Sequence, residues 1–170
     1  MRPTSDRVRE ALFSTLGARV VGATVLDLFA GTGALGIEAL SRGAAHATFV
    51  ERDRAVAQVV RTNLEALGLD ADVRVMAADR FVQDLAGSPG TPPFDLVLCD
   101  PPYLVDATDV ASLLVALADG GHLAAGATMV VERARHGDPL VVPSGAIAVT
   151  DVRTYGDTVL YYVQSGLTAS

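Results

Sequence analysis

A short β-type run that passes through a glycine turn into a helical pattern is the feature that most constrains the fold of this chain. The run is Thr24–Ala30, the turn carries Gly31 and Gly33, and the helical pattern begins near Ala34. Glycines at these positions let the backbone approach a ligand without an intervening Cβ, and the first helical turn directs unpaired N–H groups toward it. This segment therefore predicts a cofactor-binding strand, turn and helix.

The rest of the chain alternates between strand-like and helix-like patterns. Helices are predicted over 6–17, 34–42, 53–67 and about 108–118, and strands over 24–29, 46–51, about 72–77, 94–99 and about 127–133. We expect the third helix to bury Val56, Val59, Val60, Leu64 and Leu67. The runs 147–154 and 158–164 flank Tyr155-Gly156-Asp157 and predict a hairpin. The alternation predicts an α/β fold with a parallel sheet covered on both faces, and the hairpin adds an antiparallel strand.

Length and composition are compatible with one domain over 1–170, in which 1–20 forms an opening helix and linker and 21–170 forms the core. No apolar run approaches the length of a membrane span, and Met1–Asp6 contains no apolar signal region, so we expect a cytoplasmic protein without a membrane partner. The three histidines lack ligand spacing and the single cysteine lies on a strand, so we expect no metal site.

The tetrapeptide Asp100-Pro101-Pro102-Tyr103 directly follows the apolar run Phe94–Cys99. A carboxylate at the tip of a buried strand can accept a hydrogen bond from an exocyclic NH2 group, and the prolines stiffen the loop and leave its carbonyls free to accept. The tyrosine supplies a flat face on which a nucleobase can stack. An ordinary turn after a strand is the alternative, but the pattern favours the reaction centre of an amino-methylating enzyme.

The glycine spacing over Gly31–Gly36, with Glu51 ending the next strand, is also typical of a dinucleotide site. Two features argue against NAD. Asp27 lies inside the strand, where its carboxylate can contact an ammonium group. The Asp100–Tyr103 loop, called the proline-rich loop below, has no role in hydride transfer. S-adenosylmethionine carries such an ammonium group. We therefore predict that Asp27 meets its methionine end, Glu51 its ribose hydroxyls, and Asp79, at the end of the 73–78 run, its adenine amino group.

The chain resembles a known family over nearly its full length. The matching stretches are Arg2–Phe13, Val25–Ala39, Phe49–Glu51, Asp95–Tyr103 and Tyr155–Thr158. They resemble the RsmD-type methyltransferases, which use S-adenosylmethionine to methylate guanine N2 in small-subunit (16S) ribosomal RNA. The Arg-Pro-Thr opening is the specific part, since many methyltransferases share the glycine turn and the Asp-Pro-Pro-Tyr loop.

The resemblance implies a seven-stranded Rossmann-like methyltransferase fold, with a mostly parallel sheet and an antiparallel C-terminal hairpin strand. The implied cofactor-binding residues are Asp27, Phe29, Gly31, Gly33, Glu51, Arg52, Asp79 and Arg80. The implied catalytic residues, which engage the target base, are Asp100, Pro101, Pro102 and Tyr103. Glu132 and Arg133, by contrast, are expected at a solvated strand end.

Charge is the unexpected property of a chain with an RNA substrate. The formal net charge is −7 and the pI is about 4.8, the wrong sign for approaching a polyanion. RNA contacts must then be local, and Arg2, Arg7 and Arg9 are the candidates, although a solvated helix face explains them almost as well. We expect a monomer that acts on a partly or fully assembled small subunit.

Family members carry a short basic arm before the Arg-Pro-Thr motif, at which the printed sequence begins. We accordingly expect that the chain binds its cofactor normally, that it binds RNA weakly, and that its RNA affinity changes little with salt concentration. Two other readings remain. The same kind of loop serves N-methylation of DNA adenine or of a protein glutamine amide, and a non-catalytic protein that only binds S-adenosylmethionine would share the cofactor site.

Overall fold

The computed structural model describes residues 5–142 and 145–166. The helices are α1 Asp6–Leu16, α2 Ala34–Ser41, α3 Arg54–Ala66, α4 Ala78–Leu85 and α5 Ala107–Asp119, with a 3₁₀ turn at Gly17–Val20. The strands are β1 Thr24–Asp27, β2 His46–Glu51, β3 Asp72–Val75, β4 Phe94–Cys99, β5 Leu123–Ala134, β6 Ile147–Tyr155 and β7 Thr158–Ser165.

All seven strands form one sheet in the order β3-β2-β1-β4-β5-β7-β6. The first five strands run parallel, and β7 lies antiparallel between β5 and β6. Buried side chains from α1, α2 and α3 form a core cluster with one set of strand residues, and those from α4 and α5 form a second cluster with another. The predicted α/β fold, with a parallel sheet and an antiparallel C-terminal hairpin, is confirmed.

Local sequence explains where α1 and α3 begin. The Ser5 hydroxyl accepts a hydrogen bond from the Val8 N–H at 3.3 Å, and Asp53 Oδ1 accepts from the first-turn N–H groups of α3 at 2.9 and 3.1 Å. Both predicted helices therefore match the structure to within one residue at each end.

The predicted buried face of α3 is partly wrong. Val60 and Leu64 are buried as expected, but Val59 is 43% exposed and Leu67 is 59% exposed, and Ala57 is buried in their place. At 100° per residue, Ala57, Val60 and Leu64 share one face while Val59 points away from it. Leu67 lies at the helix end, where the chain turns away.

The sequence patterns above do not predict α4, and they extend β3 two residues too far. The strand ends at Val75 and a helix begins at Ala78, so Asp79 lies in the first turn of a helix and not at the end of a strand. Buried Phe81, Val82 and Leu85 have the spacing of an amphipathic helix. That signal is present in the sequence, but the alanines before it prolong the strand pattern.

The last strands agree with the predicted hairpin, and β5 begins four residues earlier than predicted. Gly156, at φ 59°, makes the left-handed turn between β6 and β7. Among the described residues, none of the helices has the length and apolar character that crossing a membrane requires.

Candidate active site

The carboxyl ends of β1 to β4 bring the predicted chemical residues to one edge of the sheet. Asp27 ends β1, Glu51 ends β2, Asp79 opens the helix after β3, and Asp100 follows β4. In a parallel sheet, ligands bind outside this edge, where connections leave neighbouring strands in opposite directions. Here β1 has β2 on one side and β4 on the other, so its end lies at such a point.

Asp27 is a buried carboxylate with one oxygen in use. Its side chain is 1% exposed, and Oδ2 accepts a hydrogen bond from the Gly36 N–H at 3.0 Å. Oδ1 is buried and has no hydrogen-bond partner within residues 5–142 and 145–166. Burial raises the pKa of Asp27 from 3.8 to about 7, the Gly36 bond opposes this rise, and the charge of Glu51 adds to it. Such a group is suited to meet a cation.

The glycine turn has the conformation that its sequence predicts. Gly31 and Gly33 have φ of 56° and 85°, a region that L side chains rarely adopt, and Gly33 is the N-cap of α2. A Cβ on Gly36 would lie 2.4 Å from the Phe49 ring and 3.1 Å from Asp27 Oδ2. The first two glycines therefore shape the turn, and the third lets α2 pack closely against β2.

Glu51 holds the turn from the neighbouring strand. Its Oε1 accepts from the Gly31 N–H at 3.0 Å and its Oε2 from the Asp53 N–H at 2.8 Å. Each carboxylate oxygen has a second lone pair, so both can still accept a hydrogen bond from a ligand. Glu51 thus positions the turn in addition to the role predicted for it.

A cavity of about 500 Å³ lies between α4 and α5, next to this turn. Three predicted residues, Phe29, Arg52 and Asp79, line it together. Arg80 does not join them, because its guanidinium forms an ion pair with Asp84 at 3.0 Å and its side chain is 69% exposed. Val105, after the proline-rich loop, also lines the cavity, and no motif in the sequence identifies it.

A second cavity of about 240 Å³ lies beside the loop after β4. Asp100, Pro101, Pro102 and Tyr103 line one side of it. Tyr103 is 61% exposed, so its ring is open to a ligand. The adjoining Leu104 is almost fully exposed at the rim.

Residues of β5 and β7 also line this cavity, which is called the acceptor pocket below because it is lined by the residues predicted to engage the acceptor base. Glu132 and Arg133 are half-buried there, with Ala134 and Thr158 beside them. Both residues lie at the end of β5, as the sequence predicts, and they are partly rather than fully exposed to solvent. Both residues are polar and lie at the end of an apolar run, as Asp100 does, but only the pairing of β4 with β5 shows that the two strand ends meet.

Comparisons with known proteins identify the family to which the chain belongs. A family model described as "Conserved hypothetical protein 95" matches residues 1–164. The "Ribosomal RNA small subunit methyltransferase D" of Haemophilus influenzae is 36% identical over 143 residues, which cover 84% of this chain and 72% of that protein. The chain belongs to the RsmD family. The Escherichia coli protein of the same name is 44% identical over 132 residues, covering 78% of this chain and 64% of that protein.

The fold of this chain is also found among solved structures. The "Putative methyltransferase yhhF from Escherichia coli" superposes with a TM-score of 0.83 at 35% identity, covering 96% of this chain and 89% of that one. The aligned part of the chain spans less than two thirds of the length of the curated Escherichia coli relative.

The arginines predicted to contact RNA differ in their surroundings in this RsmD-family chain. Arg2 lies outside the described residues. Arg7 is exposed on α1. Arg9 forms ion pairs with Asp6 at 2.7 Å and with Glu38 of α2 at 3.4 Å, and its side chain is only 24% exposed. Arg9 therefore connects α1 to α2, and a phosphate would have to compete with these two carboxylates.

No group of three or more metal-ligating side chains is placed to hold an ion in the described part of the chain. Cys99 is buried, and burial raises the pKa of its thiol, with the charges of Asp100 and Asp27 adding to the rise and Arg133 opposing it. A thiol with such a pKa stays protonated and is a poor nucleophile.

Proposed function

We propose that this chain transfers a methyl group from S-adenosylmethionine to the exocyclic N2 of a guanine in 16S ribosomal RNA. Membership of the RsmD family supports the proposal, as do the names of the two relatives. The observation that carries it is the meeting of two sites at one sheet edge. Asp27 pairs with Leu98 across β1 and β4, so Asp100 lies only two residues beyond the partner of Asp27, roughly 7 Å along the strand.

The residues present suit S-adenosylmethionine. The buried Oδ1 of Asp27 has no hydrogen-bond partner among the described residues, and the ammonium group of the cofactor can donate a hydrogen bond to it. Gly31 and Gly33 allow close backbone approach, and Glu51 retains lone pairs for ribose hydroxyls. The cavity lined by Phe29, Arg52 and Asp79 offers an apolar face and a carboxylate for an adenine and its amino group.

When bound, S-adenosylmethionine supplies an electrophilic sulfonium methyl group, so positioning of the acceptor dominates the chemistry. Guanine N2 is a weak nucleophile because its lone pair is delocalised into the ring. The Asp100 carboxylate and the Pro101 carbonyl accept hydrogen bonds from the two N2 protons and orient the nitrogen. They also stabilise the positive charge that develops on N2, and Asp100 accepts the departing proton.

Tyr103 makes the removal of the base from its stack less costly. Its exposed ring stacks on the extruded guanine and restores part of the lost stacking energy. We propose that the enzyme works as a cytoplasmic monomer on a partly or fully assembled small subunit. Contacts with subunit proteins would offset the net negative charge of the chain.

The test is methyl transfer from labelled S-adenosylmethionine to small subunits purified from cells that lack this protein. Digestion of the RNA followed by mass spectrometry should show N2-methylguanosine. The same assay with duplex DNA and with a glutamine-containing protein substrate tests the two other acceptor classes, and label in adenine or in a protein amide would contradict the proposal. Tight cofactor binding without transfer to any acceptor would indicate a binding protein instead.

A further inference from the structure

Two carboxylate side chains, those of Asp100 and Glu132, line the acceptor pocket. In the parallel pair of β4 and β5, Cys99 is the register partner of Val131. Asp100 directly follows Cys99, where β4 ends, and Glu132 follows Val131 within β5, so the two residues come next to each other after a register pair of strands that are usually about 4.8 Å apart. Both side chains line the same 240 Å³ pocket, and both residues are half-buried.

This pairing matches the hydrogen-bond pattern of one base. Ionised carboxylates only accept hydrogen bonds. On its Watson–Crick edge guanine presents two neighbouring donor groups, N1–H and the N2 amino group, beside the acceptor O6, whereas adenine presents an acceptor at N1. A carboxylate facing adenine N1 would set two acceptors against each other. Two adjacent carboxylates therefore favour guanine.

We infer that Glu132 accepts a hydrogen bond from guanine N1–H while Asp100 accepts from N2, so that Glu132 determines which base is methylated. The inference rests on the proposed function and assigns the base selectivity of that site. Arg133 lines the same pocket, and its positive charge reduces the electrostatic repulsion between the two neighbouring carboxylates. Asp100 acts on the reacting nitrogen, and Glu132 acts on the neighbouring ring atom that differs between the two purines.

The experiment compares two acceptor bases that both carry an N2 amino group. Once the methylated guanine has been located, small subunits are reconstituted with guanine or with 2-aminopurine at that position, since 2-aminopurine has no hydrogen on N1. We expect wild-type protein to methylate guanine roughly 10- to 100-fold faster, as measured by kcat/KM, because one hydrogen bond to a charged group is lost. In Glu132→Gln the amide can donate to the bare N1, and the preference should fall below about threefold.

The selectivity ratio separates base reading from a merely structural role, because a loosened pocket lowers both rates together. Glu132→Asp keeps an acceptor-only group and should keep guanine preferred. Asp72→Asn is the matched control. It removes a half-exposed carboxylate at the first residue of β3, whereas the site lies at the carboxyl ends of the strands, and it should leave the ratio unchanged. Calorimetry with S-adenosylhomocysteine shows that each variant is folded.

A wild-type ratio retained in Glu132→Gln would overturn the inference. Equal wild-type rates on the two bases would overturn it without any variant, which covers the case of a Glu132→Gln protein that does not fold. Failure of the proposed function looks different: wild-type protein would then place no methyl group on guanine N2 in unmodified subunits, whatever residue stands at 132.

Discussion

Replacing Asp27 by Asn should stabilise the ligand-free protein at pH 8 and weaken its binding of S-adenosylmethionine. The pKa of the buried carboxyl rises from 3.8 to about 7, so the folded state holds a proton that the unfolded state has lost between these values. At about 1.36 kcal/mol per pH unit, the free energy of unfolding then falls by roughly 4 kcal/mol as pH rises through this window. The variant lacks the titrating group and should not show this loss.

The gain at pH 8 is smaller than the full 4 kcal/mol because the new amide buries a donor. An unsatisfied buried donor costs about 1–3 kcal/mol, so the net stabilisation should be roughly 1–3 kcal/mol. Cofactor binding should weaken by about 1.5–3 kcal/mol, the range for hydrogen bonds to charged groups.

Urea unfolding of both ligand-free proteins from pH 4 to pH 8 measures the effect, since every other titrating group is shared. The difference in unfolding free energy between variant and wild type should grow with pH, and Asp72→Asn should show no such growth. Parallel curves over the whole range would refute the assignment of a raised pKa to Asp27. Unchanged calorimetric affinity would refute its role toward the ammonium group.

Four further predictions concern the glycine turn, the loop after β4 and the packing of α2. Glu51→Ala should weaken S-adenosylmethionine binding by roughly 1.5–3 kcal/mol in calorimetry, and unchanged affinity would place the ribose contact elsewhere. Asp100→Ala should abolish methyl transfer with near-normal cofactor affinity, and wild-type turnover would exclude the proposed mechanism. Tyr103→Ala should lower transfer less completely, since one lost stacking face costs roughly 1–3 kcal/mol. Gly36→Ala should destabilise the fold by about 1–3 kcal/mol in urea unfolding, because its Cβ would lie 2.4 Å from an aromatic ring of β2, whereas Gly87→Ala, with its nearest atom at 3.7 Å, should be nearly neutral.

The geometry of the proposed cofactor site follows closely from the sequence. Strand β1, the turn at Gly31 and Gly33, and helix α2 are contiguous, and their geometry depends on local backbone preferences and on where glycine is needed. Glu51 ends the very next strand, so its nearness to the turn required only the assumption that consecutive parallel strands pair. The parallel sheet and the C-terminal hairpin likewise follow from apolar periodicity and turn residues.

Other features depended on contacts between distant segments. The burial of Ala57 in place of Val59 depends on which face of α3 meets the sheet. The pairing of Arg9 with Glu38 joins α1 to α2 across 29 positions of the chain. Apolar periodicity alone does not decide between Ala57 and Val59, and the contact of Arg9 with Glu38 leaves no periodic pattern in the sequence.

The acceptor pocket shows most clearly the difference between features set by local sequence and features set by tertiary contacts. The sequence by itself determined that Asp100–Tyr103 forms a stiff loop carrying a carboxylate and a ring, because prolines and a strand end act locally. Only the tertiary structure decided that Glu132 stands beside Asp100, because β4 and β5 are separated in the chain by α5 and meet solely through the register of the sheet. The register between two strands depends on which side chains of both strands become buried on the faces of the sheet, so the sequence of one strand alone does not determine it.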